Sequence, residues 1–441
     1  MGNKINKKNF YSYLKYFLII IFFASIFWPY TIYSQCENYY ISAEICPIDS
    51  YFSSDILKNF VFIFKRTFTF YIQIILTLIY IFEFIIFRKT LSLSFISKFI
   101  LFILGYSLLI NIIYFKSFEY LTGINYYFHY IFNISTALLI ASELDKNKKI
   151  IQTIINLFAI LSTFLSIQLV FGIFTSTNLS SQRITLFGWK ENILSFVFII
   201  GYTIICSLIV DNKNHRKFSS LILISSTIII IDAIILTGTR AFIFCILIIQ
   251  LQILYSFFHK PINKNLKIIL FISNIGFYIS KTTSYKPVTD RFFVDNFTTI
   301  GGRMAQWVNT LKLANENPGF GVGVENYLKD YFNIHIEERL GMPENLFLEL
   351  YVTAGFFALC MISLLVLYLC VNAFFIFIKT KRVESLIWLT PLLTSTLVFN
   401  IRHLKVFFAF LCLYLIRESM YSKKLNINPK KLFLISRNNF K

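Results

Sequence analysis

Residues 218–258 read FSSLILISSTIIIIDAIILTGTRAFIFCILIIQLQILYSFF, a nearly pure hydrocarbon run with Arg240 set in its middle. One straight helix over this run would be ~60 Å long, about twice the ~30 Å hydrocarbon core of a bilayer. The run must therefore be two helices. The fold-back falls at Thr237-Gly238-Thr239-Arg240, where a glycine and two threonines favour a turn. There Arg240 stands at a membrane surface instead of among lipid tails.

The rest of the chain repeats this pattern. Of 441 residues, 56% are hydrophobic and 15% charged, too apolar for an ordinary water-exposed surface. Stretches near the ~20 apolar residues that cross a bilayer recur along most of the length. They predict spans near 14–33, 67–87, 95–115, 123–142, 150–174, 192–210, 218–236, 241–258, 266–280, 346–378, 386–400 and 404–416. The expected fold is an all-α polytopic transmembrane bundle of about twelve spans, forming one integral membrane domain over 1–441. The span at 346–378 is too long for a bilayer and needs tilting or trimming.

Charge orients the bundle. With a cytoplasmic N-terminus and twelve alternating spans, the inside segments are the two tails, 88–98, 143–149, 211–217, 259–267 and 379–384. Counting Glu83 with them, they hold 26 of the 42 Lys and Arg and 6 of the 22 Asp and Glu. The whole formal excess of +20 then lies on one side, as the positive-inside tendency predicts. Both termini are expected in the cytoplasm, with the first span a retained anchor. Topology accounts for the basic balance, so no nucleic-acid partner is needed. Cys206, Cys245, Cys360, Cys370 and Cys412 fall in spans and read as packing residues. Cys36 and Cys46 share the first outside loop, where a disulfide and two free thiols are both open readings. No spacing suggests a metal site.

One outside connection differs from the others. The segment 281–345 is far longer than a turn, and long loops of this kind are commonly functional. Within it, RMAQWVNTLKLA places Met304, Trp307, Val308, Leu311 and Leu313 or Ala314 near the period of a short amphipathic helix. Arg303 is expected in its first turn. The glycines of NPGFGVGVENY lack the order and preceding strand of a nucleotide-binding loop, and read as a tight turn bringing backbone close to a surface. Arg183, Arg240 and Arg303 stand at span boundaries on one side, with His335, Glu344 and Asn345 beside them in sequence. Singly these residues read as interfacial anchors, a loop histidine and a helix-terminal charge. Together they suit recognition of a lipid-linked phosphate, because guanidinium binds phosphate oxygens in pairs and stays charged near lipid.

The order RITLFGWKEN, LTGTRAF, RMAQWVNTLKLANENPGFGVGVENY and ENLFLELYVTAGFFAL resembles the O-antigen polymerase and O-antigen ligase family of bacterial envelope glycosyltransferases. The resemblance in motifs covers about 183–359. It implies metal-independent transfer of a polyprenyl-diphosphate-linked glycan at the outer face of the cytoplasmic membrane, with no cofactor. Arg183, Arg240 and Arg303 would then bind the leaving diphosphate, with Asn345 also at the substrate. The family has His-Asn where this chain has Glu344-Asn345, so Glu344 is expected as the base, with His335 as the other candidate. Implied partners are the lipid-linked glycan, membrane lipid, and a chain-length regulator or other polysaccharide assembly proteins. The departure from His-Asn favours a polymerase over a ligase. A flippase for lipid-linked glycans suits twelve spans equally, but no internal repeat stands out and ionisable residues near mid-membrane are few beyond Asp232 and Glu83.

Overall fold

A computed structural model describes residues 7–25, 72–83, 95–114, 134–144, 147–172, 175–178, 183–186, 191–211, 217–259, 264–285, 298–323, 327, 345–398 and 404–424. The architecture is helical. In chain order the described elements are α1 (Lys7–Ser25), α2 (Ile72–Glu83), α3 (Phe95–Ile113), α4 (Ile134–Leu144), α5 (Lys148–Val170), a hairpin of β1 (Thr175–Asn178) and β2 (Arg183–Leu186), α6 (Glu191–Asp211) and α7 (Lys217–Thr237). They continue with α8 (Arg240–His259), α9 (Lys264–Ser284), α10 (Thr298–Glu316), α11 (Leu346–Thr380), α12 (Glu384–Val398) and α13 (Leu404–Lys424). Each expected span overlaps one of these helices. Among the described residues, α5, α6, α7, α8 and α11 are long and apolar enough to cross a membrane.

Side-chain contacts fix how the helices run. Ser162 of α5 donates to the Val197 carbonyl of α6, and Ser195 of α6 meets Thr237 of α7, so α5, α6 and α7 alternate in direction. Thr227 of α7 is level with Asn274 of α9, and Asp232 with Lys281, so α7 and α9 are parallel. Lys267 of α9 donates to Ser256 of α8 at 2.9 Å, which sets α8 antiparallel to both. The run 218–258 is thus folded back on itself at Gly238 (φ 65°), as its length requires.

The opposite end of the bundle gathers charges that alternation assigns to one side. Lys15 of α1 lies 2.9 Å from Glu83 of α2 and 3.5 Å from Glu143, near the end of α4. Its ammonium also sits 4.5 Å above the Tyr80 ring. A cation this buried persists because it is paired.

Between the two ends, apolar side chains of α1–α9 and α11–α13 form one continuous core. Phe196 of α6 packs on Phe242 of α8, and Trp388 of α12 stacks on Phe410 of α13. Among the buried polar side chains, Tyr202 of α6 accepts at its hydroxyl from the Gln250 amide of α8 and from the Asn274 amide of α9, satisfying donors that hydrocarbon could not.

Candidate functional site

The site is built at the end of the bundle that carries Arg240. Three helices deliver residues there: α5 rises to Val170, α6 starts at Glu191, and α7 ends at Thr237. The β1–β2 hairpin closes the connection from α5 to α6, pairing Thr175 with Leu186 and Asn178 with Arg183. Strand β2 packs against α5, α6 and α7. Arg183, expected at a span start, is therefore the first residue of a strand lying over these helix ends.

Arg240 is the first residue of α8 and is half-buried. The turn before it is held by side chains. Thr237 donates to the Ile234 carbonyl at 2.6 Å, and the Gly238 amide donates to the Ile235 carbonyl at 2.9 Å. Ser195 of α6 reaches both threonines, and Thr239 donates to the Asn192 Oδ1 at 3.3 Å. Arg183 and Arg240 thus sit on elements that each pack against α6 and α7.

Arg303 and Asn345 belong to a second assembly on α11. Helix α10 starts at Thr298, earlier than expected, so Arg303 stands in its second turn and not its first. The expected apolar face is corrected as well. Thr310 and Ala314 are the buried pair, Trp307 and Leu313 are half-buried, and Val308 and Leu311 are exposed. Small side chains let α10 approach α11 closely, and Tyr351 of α11 donates to Asn315 at 2.9 Å.

After α10 the glycine turn docks on α11. The Val322 amide donates to the Val352 carbonyl, and the Phe356 amide to the Pro318 carbonyl, both at 2.8 Å. Gly321 and Gly323 have φ of 75° and 77°. The turn brings backbone into close approach as the glycines suggest, but its target is a break in α11. Gly355 (φ 81°, ψ −177°) interrupts that helix, and a Cβ there would lie 2.2 Å from the Gly319 carbonyl oxygen.

This break trims the over-long span. Residues 356–380 alone give ~37 Å of helix, enough for a bilayer. Leu346 lines the same apolar cavity as Ile362 and Leu369 of α11, and Ile100 and Leu104 of α3. A straight helix would hold Leu346 and Leu369 ~34 Å apart, whereas Ile100 and Leu104 are ~6 Å apart along α3. Residues 346–354 therefore leave the axis of the longer segment at Gly355.

Asn345 caps this short helix. Its Oδ1 accepts from the Phe347 and Leu348 amides at 3.0 and 3.3 Å, satisfying donors that a helix start leaves open. With Oδ1 engaged, what Asn345 can offer a substrate is its Nδ2 donor. Glu344, His335, Cys36 and Cys46 lie outside the described residues. Among the described residues, no group of His, Cys, Asp or Glu converges as metal ligands.

The segment from α7 through the break in α11 is also where the chain matches known proteins. Residues 225–363 match the family model described as O-antigen ligase. That segment is similar to the O-antigen ligase family. It contains Arg240, Arg303, the glycine turn, Asn345 and Gly355, whereas Arg183 precedes it. No curated protein matches the chain. Gly355 and Ser195 were missed in the sequence because neither residue type draws notice in an apolar run.

Proposed function

We propose that this chain is a twelve-span glycosyltransferase of the cytoplasmic membrane, both termini cytoplasmic, that polymerises polyprenyl-diphosphate-linked oligosaccharide repeats at the outer face. The observation that carries this reading is that Arg240 and Arg183 stand at one end of the bundle, on elements that each pack against α6 and α7, with Arg240 inside the matched segment. In the reaction the acceptor hydroxyl loses its proton to Glu344 and its oxygen attacks the anomeric carbon of the donor. The bond from that carbon to the diphosphate oxygen breaks, and polyprenyl diphosphate leaves. Arg183, Arg240 and Arg303 offset the charge that develops on the leaving diphosphate, the larger contribution to rate. General-base help from Glu344 supplies ~10²–10⁴-fold, with His335 the alternative base. The arginines carry the charge stabilisation in this scheme, so no metal ion is assigned a step.

A second reading, transfer of the glycan to the lipid A core, is favoured by the description of the matched family as O-antigen ligase. The glycan ladder of a strain lacking the gene separates the two. A single repeat still attached to the core is the polymerase result. Loss of every attached repeat, with lipid-linked polymer accumulating, is the ligase result. Lipid-linked repeats retained on the cytoplasmic leaflet would overturn both in favour of a flippase.

A further inference from the structure

We propose that Asn192, Ser195, Thr237 and Thr239 form a hydroxyl clasp that positions Arg240 relative to Arg183. The inference rests on the proposed role of these arginines at the diphosphate.

The clasp consists of three hydroxyls and one amide oxygen. Thr237, Thr239 and Ser195 are each at most 4% exposed. The Ser195 hydroxyl donates to Thr239 Oγ1 at 2.9 Å, and Thr239 donates onward to Asn192 Oδ1 at 3.3 Å. Thr237 Oγ1 lies 2.5 Å from Ser195 Oγ. Thr237 gives its own proton to the Ile234 carbonyl, so the Ser195 proton is shared between Thr237 and Thr239, and Thr239 passes its own to Asn192.

A two-residue turn between apolar helices needs none of this. Gly238 supplies the reversal alone, and burying polar atoms costs free energy unless each is satisfied. What the clasp adds is a second attachment. It ties the residues on either side of Gly238 to the first two turns of α6, the helix that begins just after β2 and therefore just after Arg183. The α7–α8 turn and the β2 strand are thereby referenced to the same few residues. Electrostatic stabilisation of a leaving group depends on donors held within ~0.5 Å of their productive places. Asn192, Ser195, Thr237 and Thr239 act through Arg240 and are positioning residues.

The test uses full-length protein in membranes. The donor is the lipid-linked oligosaccharide that accumulates in membranes of a strain lacking the gene. Thr239→Val keeps the shape and removes the hydroxyl, and is expected to slow transfer ~10-fold or more, whereas Thr239→Ser restores the rate to within ~2-fold. In an Arg240→Ala background, Thr239→Val should add no further loss, because residues acting through one group are not additive. Ser195→Ala should behave like Thr239→Val, which guards against one substitution failing to insert. A wild-type rate for Thr239→Val and Ser195→Ala beside an inactive Arg240→Ala overturns the clasp and leaves the proposed function standing. Losses that multiply in the double variant also overturn it. Full activity of Arg240→Ala overturns the proposed function itself.

Discussion

The turn at Gly238 and the break at Gly355 both interrupt long apolar runs with a glycine at positive φ, yet they are held differently. At Gly238 the neighbouring side chains do the holding, with Thr237 and Thr239 bonded across to α6. At Gly355 the partner is backbone: the Pro318 and Val352 carbonyls accept from amides across the junction, and no Cβ fits at Gly355 or Gly321. A side-chain clasp constrains the direction of one residue and tolerates small adjustments. A backbone junction leaves little room for adjustment, so it fixes the glycine turn after α10 to α11.

Function and stability should therefore separate between the two regions. The largest effect is expected at Arg240: Arg240→Ala, and Arg240→Lys with its charge kept but its paired donors lost, should cut the initial transfer rate ~10²–10³-fold. A topology reporter fused after α8 should meanwhile record normal insertion. Next comes Gly355→Ala, where overpacking of ~1–3 kcal/mol adds to ~1–3 kcal/mol for an extended, positive-φ backbone that essentially only glycine adopts. Its melting temperature in detergent should drop clearly, with glycan transfer lost in parallel. Gly238→Ala should meet a left-handed penalty of ~1–2 kcal/mol, and Gly238→Asn less than that. Equal melting temperatures for the two alanine variants would break the contrast. The smallest shift is expected at Asn345: Asn345→Ala should lose ~1 kcal/mol of helix capping, which Asn345→Asp restores. If Nδ2 serves the substrate, Asn345→Asp should melt like the wild type and still transfer glycan slowly; equal activity would confine Asn345 to capping.

Legibility in the sequence followed the strength of the physical constraint. The reversal before Arg240 was readable because no helix of that length fits a bilayer. The gathering of Lys15, Glu83 and Glu143 was readable in outline, because alternation of spans assigns all three to one side. The face of α10 was not: helical period predicts a buried stripe, but the contact with α11 runs along Thr310 and Ala314, chosen for close approach instead of hydrophobicity. Arg183 was readable as a boundary residue, whereas its place on a strand was hidden, since a four-residue strand carries almost no periodic signal.

Hydropathy, length and charge by themselves determined a helical membrane protein and the turn before Arg240, because both follow from the cost of placing polar groups in hydrocarbon. Only the tertiary structure decided that Gly355 splits α11, that the glycine turn seats in the split, and that Ser195 and Asn192 reach the Arg240 turn. Those depend on which backbones and hydroxyls meet across helices far apart in sequence, and no local pattern of residues encodes such a meeting.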